Sequence, residues 1–337
     1  MKTKIIRISL TIIIAGLLIS TSSAQNKKLA QSGMKFLNVS TNAHNAGMAD
    51  AITSLHGGSS AMLYNPAAMS EIPTMVDFEF NQTQWIADIN YLSATAAFQP
   101  FGPVGGVFGI SLVSVDYGDF KETVRSTNDK GFLDVGTYSP TAVSIGLGYA
   151  RSLSQKFSIG GNLKYVRQSL IGNGKTGIIS GGYSEEKFET DVFAFDFGLI
   201  YRTGFESLNL GMSIRNFSEE LKYIEEGFQL PLIFQIGMSM DLVDIIELDK
   251  TKHSLLLSVD ASHPRDYPEQ IYIGSEYTFI NSFSLRAGYN FPRDDGGFAA
   301  GIGIKQNLAG VGIGIDYAYA PYSIFSDVHR FSIKFAY

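Results

Sequence analysis

From about residue 74 to the C terminus, bulky apolar residues recur at every second position, in runs of about nine to fourteen residues broken by turn-forming residues. A period of two sends successive side chains to opposite faces of a strand, so each run has one bulky face and one of another kind. The terminal run sets Phe331, Ile333, Phe335 and Tyr337 against Arg330, Ser332, Lys334 and Ala336. Val311, Ile313, Ile315, Tyr317 and Tyr319 oppose Gly312, Gly314, Asp316 and Ala318, and Val143, Ile145, Leu147 and Tyr149 oppose Ala142, Ser144, Gly146 and Gly148. Further copies place Phe193, Phe195, Phe197, Leu199 and Tyr201 against Asp196 and Gly198, and Phe283, Leu285 and Tyr289 against Ser284, Arg286, Gly288 and Asn290.

The second face decides the class. In a soluble exported β-protein, the competing class, it would be rich in Lys, Glu and Thr because water must cover it. Here it is mostly Gly, Ala and Ser with single charges, in a chain only 17% charged. Small residues fit the crowded interior of a closed barrel, and large apolar ones fit lipid outside it. Tyr149, Tyr201, Tyr289, Phe291 and Tyr319 stand near run ends, where aromatic girdles meet the two membrane interfaces. The expected fold is all-β: a transmembrane antiparallel β-barrel of about 14 strands with an N-terminal plug segment inside the lumen. Strand cores are expected at 74–82, 89–99, 104–115, 140–151, 156–168, 189–202, 207–217, 232–241, 253–262, 269–279, 282–291, 297–306, 310–320 and 329–337.

An even count returns both chain ends to the same side of the membrane, and alternate connections should then be short and long. The short set includes Phe101 to Pro103, Ser152 to Gln155, Thr203 to Glu206, Ile280-Asn281 and Asn307 to Ala309; the long set includes Asp116 to Ser139, Ser169 to Lys187 and Ser218 to Pro231. Leu242 to Lys252 breaks the rule, being long where a short turn is due; a short periplasmic helix there is one solution, displaced strand boundaries another.

Two segments precede the barrel of residues 74–337. Residues 1–24 read as a signal peptide: Lys2, Lys4 and Arg7 form a basic start, Leu10 to Ile19 an apolar stretch too short to span a bilayer, and Ser22-Ser23-Ala24 a cleavage site. Residues 25–73 alternate little and are too few for a core of their own. Met34, Phe36, Leu37, Ile52, Leu55, Met62, Leu63 and Met69 need cover, which favours a plug in the lumen over a disordered tail.

Composition removes other classes. With no Cys there is no disulfide framework, thiol nucleophile or Cys-held zinc. A net charge of −6 gives no reason to expect nucleic acid. Gly172-Asn173-Gly174-Lys175-Thr176 lacks the first glycine and following helix of a phosphate loop, since position 169 is Ser. Gly301-Ile302-Gly303 and Gly312-Ile313-Gly314 lie in strands and lack the third glycine of a dinucleotide fingerprint. His44, His56, His253, His263 and His329 lack metal spacing, and Asp294-Asp295-Gly296-Gly297 reads as a turn rather than a calcium loop. No enzyme activity, cofactor or metal is expected. Charges on the small face, Lys164, Asp196, Arg215, Asp241, Asp260, Glu276, Arg286, Lys305, Asp316 and Lys334, carry both signs and should pair with one another, with the plug or with lumen water.

Ala43-His44-Asn45-Ala46-Gly47-Met48-Ala49-Asp50-Ala51, followed by Asn65-Pro66-Ala67-Ala68-Met69, resembles the N-terminal signature of the PorV/PorQ family, a branch of the FadL-like outer-membrane barrels. Ala49 stands where a second glycine is common in that family, and His44 where Arg is common. The resemblance implies a fourteen-stranded barrel with an N-terminal plug whose motif residues are Gly47, Met48, Asp50, Asn65, Pro66 and Ala67. It also implies a link to type IX secretion in Bacteroidetes-type bacteria, or, through FadL relatives, passage of hydrophobic compounds. The ending Phe335-Ala336-Tyr337 resembles the aromatic terminus by which such barrels are recognised for assembly. The expected location is the outer membrane of a Gram-negative-type bacterium after signal-peptide cleavage. The expected partners are outer-membrane lipid, the barrel-assembly machinery, and type IX secretion components or exported cargo meeting the outer loops; the alternative is a transporter holding a hydrophobic ligand.

Overall fold

In hydrocarbon every backbone N–H and C=O must be satisfied within the protein, and a ring of strands closed on itself satisfies them all. The computed structural model describes residues 31–172, 176–179, 182–184, 188–246, 248–293 and 295–337. The expected signal peptide, residues 1–24, lies outside them, as do Asn173 to Lys175 and Asp294.

Twenty strands follow in chain order: β1 (Val76–Gln84), β2 (Asn90–Phe98), β3 (Val107–Asp116), β4 (Phe120–Arg125), β5 (Phe132–Tyr138), β6 (Thr141–Ser152), β7 (Phe157–Ser169), β8 (Thr176–Ile179), β9 (Gly182–Ser184), β10 (Glu189–Arg202), β11 (Asn209–Ser218), β12 (Leu221–Lys222), β13 (Gly227–Phe228), β14 (Ile233–Asp241), β15 (His253–Pro264), β16 (Gln270–Phe279), β17 (Phe283–Phe291), β18 (Phe298–Leu308), β19 (Val311–Ala320) and β20 (Val328–Ala336). Fourteen of them form a closed antiparallel barrel in the order β1-β2-β3-β6-β7-β10-β11-β14-β15-β16-β17-β18-β19-β20. The ring shuts between β1 and β20 from Asp77↔Ala336 to Gln84↔His329, and Val76 and Tyr337 extend the seam with reciprocal backbone hydrogen bonds of 2.8 and 2.9 Å. Each expected core coincides with one barrel strand, the expected 189–202 matching β10 end for end.

The six remaining strands form three two-stranded hairpins, β4-β5, β8-β9 and β12-β13, within the three longest connections. The sequence pattern gives those segments only as long connections. Among the described residues the Leu242 to Lys252 connection holds one short 3-10 helix, Leu242–Asp244. Asp241 caps it by accepting from Val243 N at 3.0 Å, and the same carboxylate also takes Leu255 N and Ser254 Oγ, which fixes the strand ends on both sides. Among the described residues no helix is long and apolar enough to cross a membrane, which says nothing about strands.

Alternation becomes burial. On β1, Asp77, Glu79, Asn81 and Thr83 are buried, whereas Phe78 and Phe80 are 45% and 54% exposed. The polar side is the enclosed one, the reverse of a soluble sheet, as a lipid-facing exterior demands. Aromatic clusters mark both ends of the apolar band: Phe108 against Phe98 and Tyr149 near the short connections, and Tyr289 against Phe291 near the long ones.

Candidate functional site

Residues 31–73 form short helical turns whose caps are written locally. Asn42 accepts from Asn45 N at 2.8 Å to start Ala43–Gly47. Asn65 accepts from Ala67 N at 3.1 Å to start Pro66–Glu71, where Pro66 occupies the first helical position and needs no donor. Ala49 and Asp50 then take left-handed backbone, φ +51° and +64°, to turn the chain sharply. That conformation explains why glycine suits position 49.

Several glycines of the wall lie directly against this segment. A methyl group at Gly288 would lie 2.5 Å from Met48 O and 2.7 Å from Ala49 N. One at Gly160 would lie 2.5 Å from Ala67 N, and one at Gly109 2.7 Å from Met69 Sδ. Gly47 meets Gly301 backbone to backbone, and a methyl group on either would lie a tight 3.1 Å from the other's Cα. Met48, Met62 and Met69 fill the remaining gaps and are fully buried.

Polar wall residues then hold the segment from around the ring. Asp260 on β15 accepts from Ile52 N and Thr53 N at 2.9 and 2.8 Å. On β1, Glu79 accepts from Ser60 Oγ at 2.8 Å and from Asn42, and Asp77 accepts from Ser59 N at 2.7 Å while pairing with Lys334 at 3.2 Å. Ser332 accepts from Ala43 N at 2.8 Å. Asn65 donates to Thr53 O at 2.6 Å and Leu199 O at 3.2 Å.

Several of the charges anticipated on the small face meet one another there. Arg286 bridges Glu276 and Asp316, the latter at 2.6 Å, and His44 Nε2 reaches Glu276 at 3.1 Å. Burial and Arg286 both oppose protonation of His44, yet the Glu276 carboxylate outweighs them and raises its pKa above the ordinary value. Arg215 instead donates to Leu63 O and Gln235 Oε1, both neutral. Lys305 lies near the short-connection end of β18 and is exposed. Of the motif residues, Gly47, Met48, Asn65, Pro66 and Ala67 are buried and Asp50 is half-buried. Phe335 points outward between Phe78 and Ile313 on the neighbouring strands, and Tyr337 closes the seam.

His56 has a different character. Its Nδ1 lies 3.7 Å from Glu71 Oε2, but neither ring nitrogen has a hydrogen-bond partner. Burial, reinforced by Arg202, pushes its pKa from 6.5 down to about 4, so the ring is neutral at neutral pH. The folded chain then takes this proton only near pH 4, whereas the unfolded chain takes it near 6.5, and acid favours unfolding in the window between. Stability fully present above pH 6.5 should fall by about 2 kcal/mol by pH 5. Thermal unfolding in detergent at pH 8 and pH 5 should show this loss, and His56→Gln should shrink it. An equal loss in both proteins would assign it elsewhere.

Above the segment, toward the long connections, lies a chamber of about 900 Å³. Its floor includes Ala46, Asp50 and Tyr64, and its rim Trp85, Tyr267, Arg293 and Tyr322 from four connections. Arg330 on β20 donates to Ser40 O at 2.8 Å and lies 5.3 Å from the Trp85 ring centre. Sequence reasoning passed over Trp85, Arg293 and Tyr322. One signal was available: the chain's single tryptophan falls between strands, where no lipid-facing alternation places it. Among the described residues no His, Asp or Glu cluster is arranged to hold a metal.

A family model for the type IX secretion system membrane protein PorP/SprF matches residues 132–335. No curated protein matches the chain. Solved structures of similar fold include the Ralstonia pickettii toluene transporter TbuX, 13% identical with a TM-score of 0.58 over 87% of this chain and 97% of that chain. A Pseudomonas aeruginosa FadL homologue is 14% identical with a TM-score of 0.55 over 88% of this chain and 98% of that chain. At such identities the likeness is one of fold.

Proposed function

The chain belongs to the PorP/SprF family of type IX secretion system membrane proteins, and from that premise we propose that it is a secretion-associated outer-membrane component that binds protein partners or cargo through its outer loops. The family match carries the reading, since the matched residues include most of the hairpin-bearing connections. Exposed Phe132, Leu133 and Ile224 on those connections, and Ile324 on the β19–β20 connection, support contact with protein rather than water alone. In this reading residues 25–73 are a plug, and their PorV/PorQ-like signature, outside the matched residues, is the plug's docking motif. Residues 1–24 direct export and are removed, and Phe335 and Tyr337 present the barrel to its assembly machinery.

Deletion of the gene should deplete the medium of exported proteins several-fold, and the tagged barrel drawn from native membranes should bring secretion components or cargo with it. An unchanged exported set together with an empty pull-down would remove the reading. A second reading, passage of hydrophobic small molecules, has in its favour the apolar residues Met34, Val39, Ile52 and Ile86 lining the chamber. Unchanged uptake of a labelled long-chain fatty acid after deletion would count against it.

A further inference from the structure

Three guanidinium groups line the outer chamber: Arg215 from β11, Arg293 from the β17–β18 connection and Arg330 from β20. Each lies over an aromatic ring, Tyr64, Tyr322 and Trp85, at 5.8, 5.7 and 5.3 Å from the ring centre. Their hydrogen bonds go to neutral oxygens: Leu63 O and Gln235 for Arg215, the Tyr322 hydroxyl for Arg293, and Ser40 O for Arg330. Among the described residues none of the three forms an ion pair with a carboxylate, whereas Lys164, Arg286 and Lys334 pair with Asp196, Asp316 and Asp77. Acidic side chains are not scarce in a chain of net charge −6. Arginine carries five donors and ring stacking consumes none of them; Arg215 Nε is buried with no acceptor at all.

The lining also holds acceptors. Asp295 is satisfied by Ser323 and Ile324 N, and Lys35 is paired with Asp266, but Asp50 Oδ1 and Asn290 Oδ1 are buried without a partner. A ligand that completes this chamber brings an anion for the arginines and N–H donors for Asp50 and Asn290. A fatty acid lacks the donors. An acidic sugar has both, but Met34, Ile52, Ile86 and Ile233 line the same space and suit apolar side chains better than hydroxyls. We propose that the outer chamber binds a short acidic peptide segment with apolar neighbours, its carboxylates received by Arg215, Arg293 and Arg330 and its backbone N–H groups by Asp50 and Asn290. The choice of a peptide rests on the secretion reading above; the need for an anion does not.

Trp85, the chain's single tryptophan, reports occupancy directly. The full barrel purified in detergent would be titrated with a hexapeptide of alternating leucine and glutamate, with the same peptide carrying glutamine for glutamate, with dodecanoate and with trigalacturonate. The acidic peptide should change Trp85 emission saturably and bind at least tenfold tighter than each of the other three. Arg215→Gln and Arg293→Gln should each weaken it about tenfold or more. Arg330 is buried against Trp85 and its substitution can disturb folding, so Arg293 at the exposed rim is the deciding variant. No saturable change, equal binding of the glutamine peptide, tighter binding of dodecanoate or trigalacturonate, or full affinity in Arg293→Gln would overturn the site. Failure to bind in a protein whose deletion still halts export removes the site alone, while binding with unaltered export removes the secretion reading alone.

Discussion

Gly288→Val should strip the N-terminal segment from the wall while leaving the barrel closed. Valine suits a strand, so β17 keeps its ladder to β16 and β18. Its first side-chain carbon, however, would lie 2.5 Å from Met48 O and 2.7 Å from Ala49 N, and these are backbone atoms that no rotamer change can move. Gly274 on the adjacent strand blocks escape sideways, with the same Met48 O 2.5 Å from its own β position. Ala49 and Asp50 are already at positive φ, so the turn has little freedom to shift. Overpacking of this kind costs about 1–3 kcal/mol, and losing the burial of Met48 adds about 1.5–3 kcal/mol. A total of roughly 4 kcal/mol multiplies the undocked population about a thousandfold. Trypsin cleavage at Lys35 should accelerate accordingly, and conductance across a planar bilayer should rise. Gly312→Val is the control, because its added carbon meets Ala336 at an ordinary 3.6 Å. Equal protection of the segment in Gly288→Val and the parent would remove the idea that the wall glycines form its seat.

The strands were legible because two solvents act on them at once. Lipid selects Phe, Leu and Ile on one face and the segment's backbone selects Gly, Ala and Ser on the other, so the period of two survives nearly the whole way round. Loop strands such as β4 and β5 were not legible, since β5 is exposed on both faces and β4 buries only Glu122 and Val124, so Phe120 to Tyr138 carry no sustained contrast. Asn65-Pro66-Ala67 was legible as a motif of the N-terminal segment, but not as the piece lodged against Gly160 and Gly198, on strands more than ninety residues further along the chain. The charges behaved likewise. Parity along a strand placed Arg286 and Asp316 on one face, and only the closed sheet, which sets β17 and β19 on either side of the glycines of β18, could pair them. Parity also placed Lys305 there, where it sits beside Gly314 in the register and stays exposed. The chamber was invisible for the same reason: Trp85 and Arg330 are far apart in sequence and meet only when the ring shuts.

Lys164→Met should be the most damaging single change in the wall. Lys164 Nζ lies 2.8 Å from Asp196 Oδ1 and 2.5 Å from Asn216 Oδ1, with both charges buried. Asp196 also accepts from Asn216 N at 2.8 Å and Asn162 Nδ2 at 3.0 Å. This is where the β10–β11 register slips between Phe195 and Phe197, and where Asn216 takes φ +63°. Asn216 then reaches Pro231 O at 3.0 Å and Asn38 at 3.3 Å, so the bulge ties the wall to a long connection and to the N-terminal segment. Removing the lysine leaves a fully buried carboxylate without its cation, which costs about 3–5 kcal/mol. The urea midpoint of the barrel refolded in lipid vesicles should fall by that equivalent. Replacing both partners, Lys164→Met with Asp196→Asn, should recover most of it, because the amide oxygen still accepts from Asn216 N and no charge is stranded. A double variant as unstable as the single one would place the loss in the packing of the lysine stem instead, and the bulge would then be held by Asn216 alone.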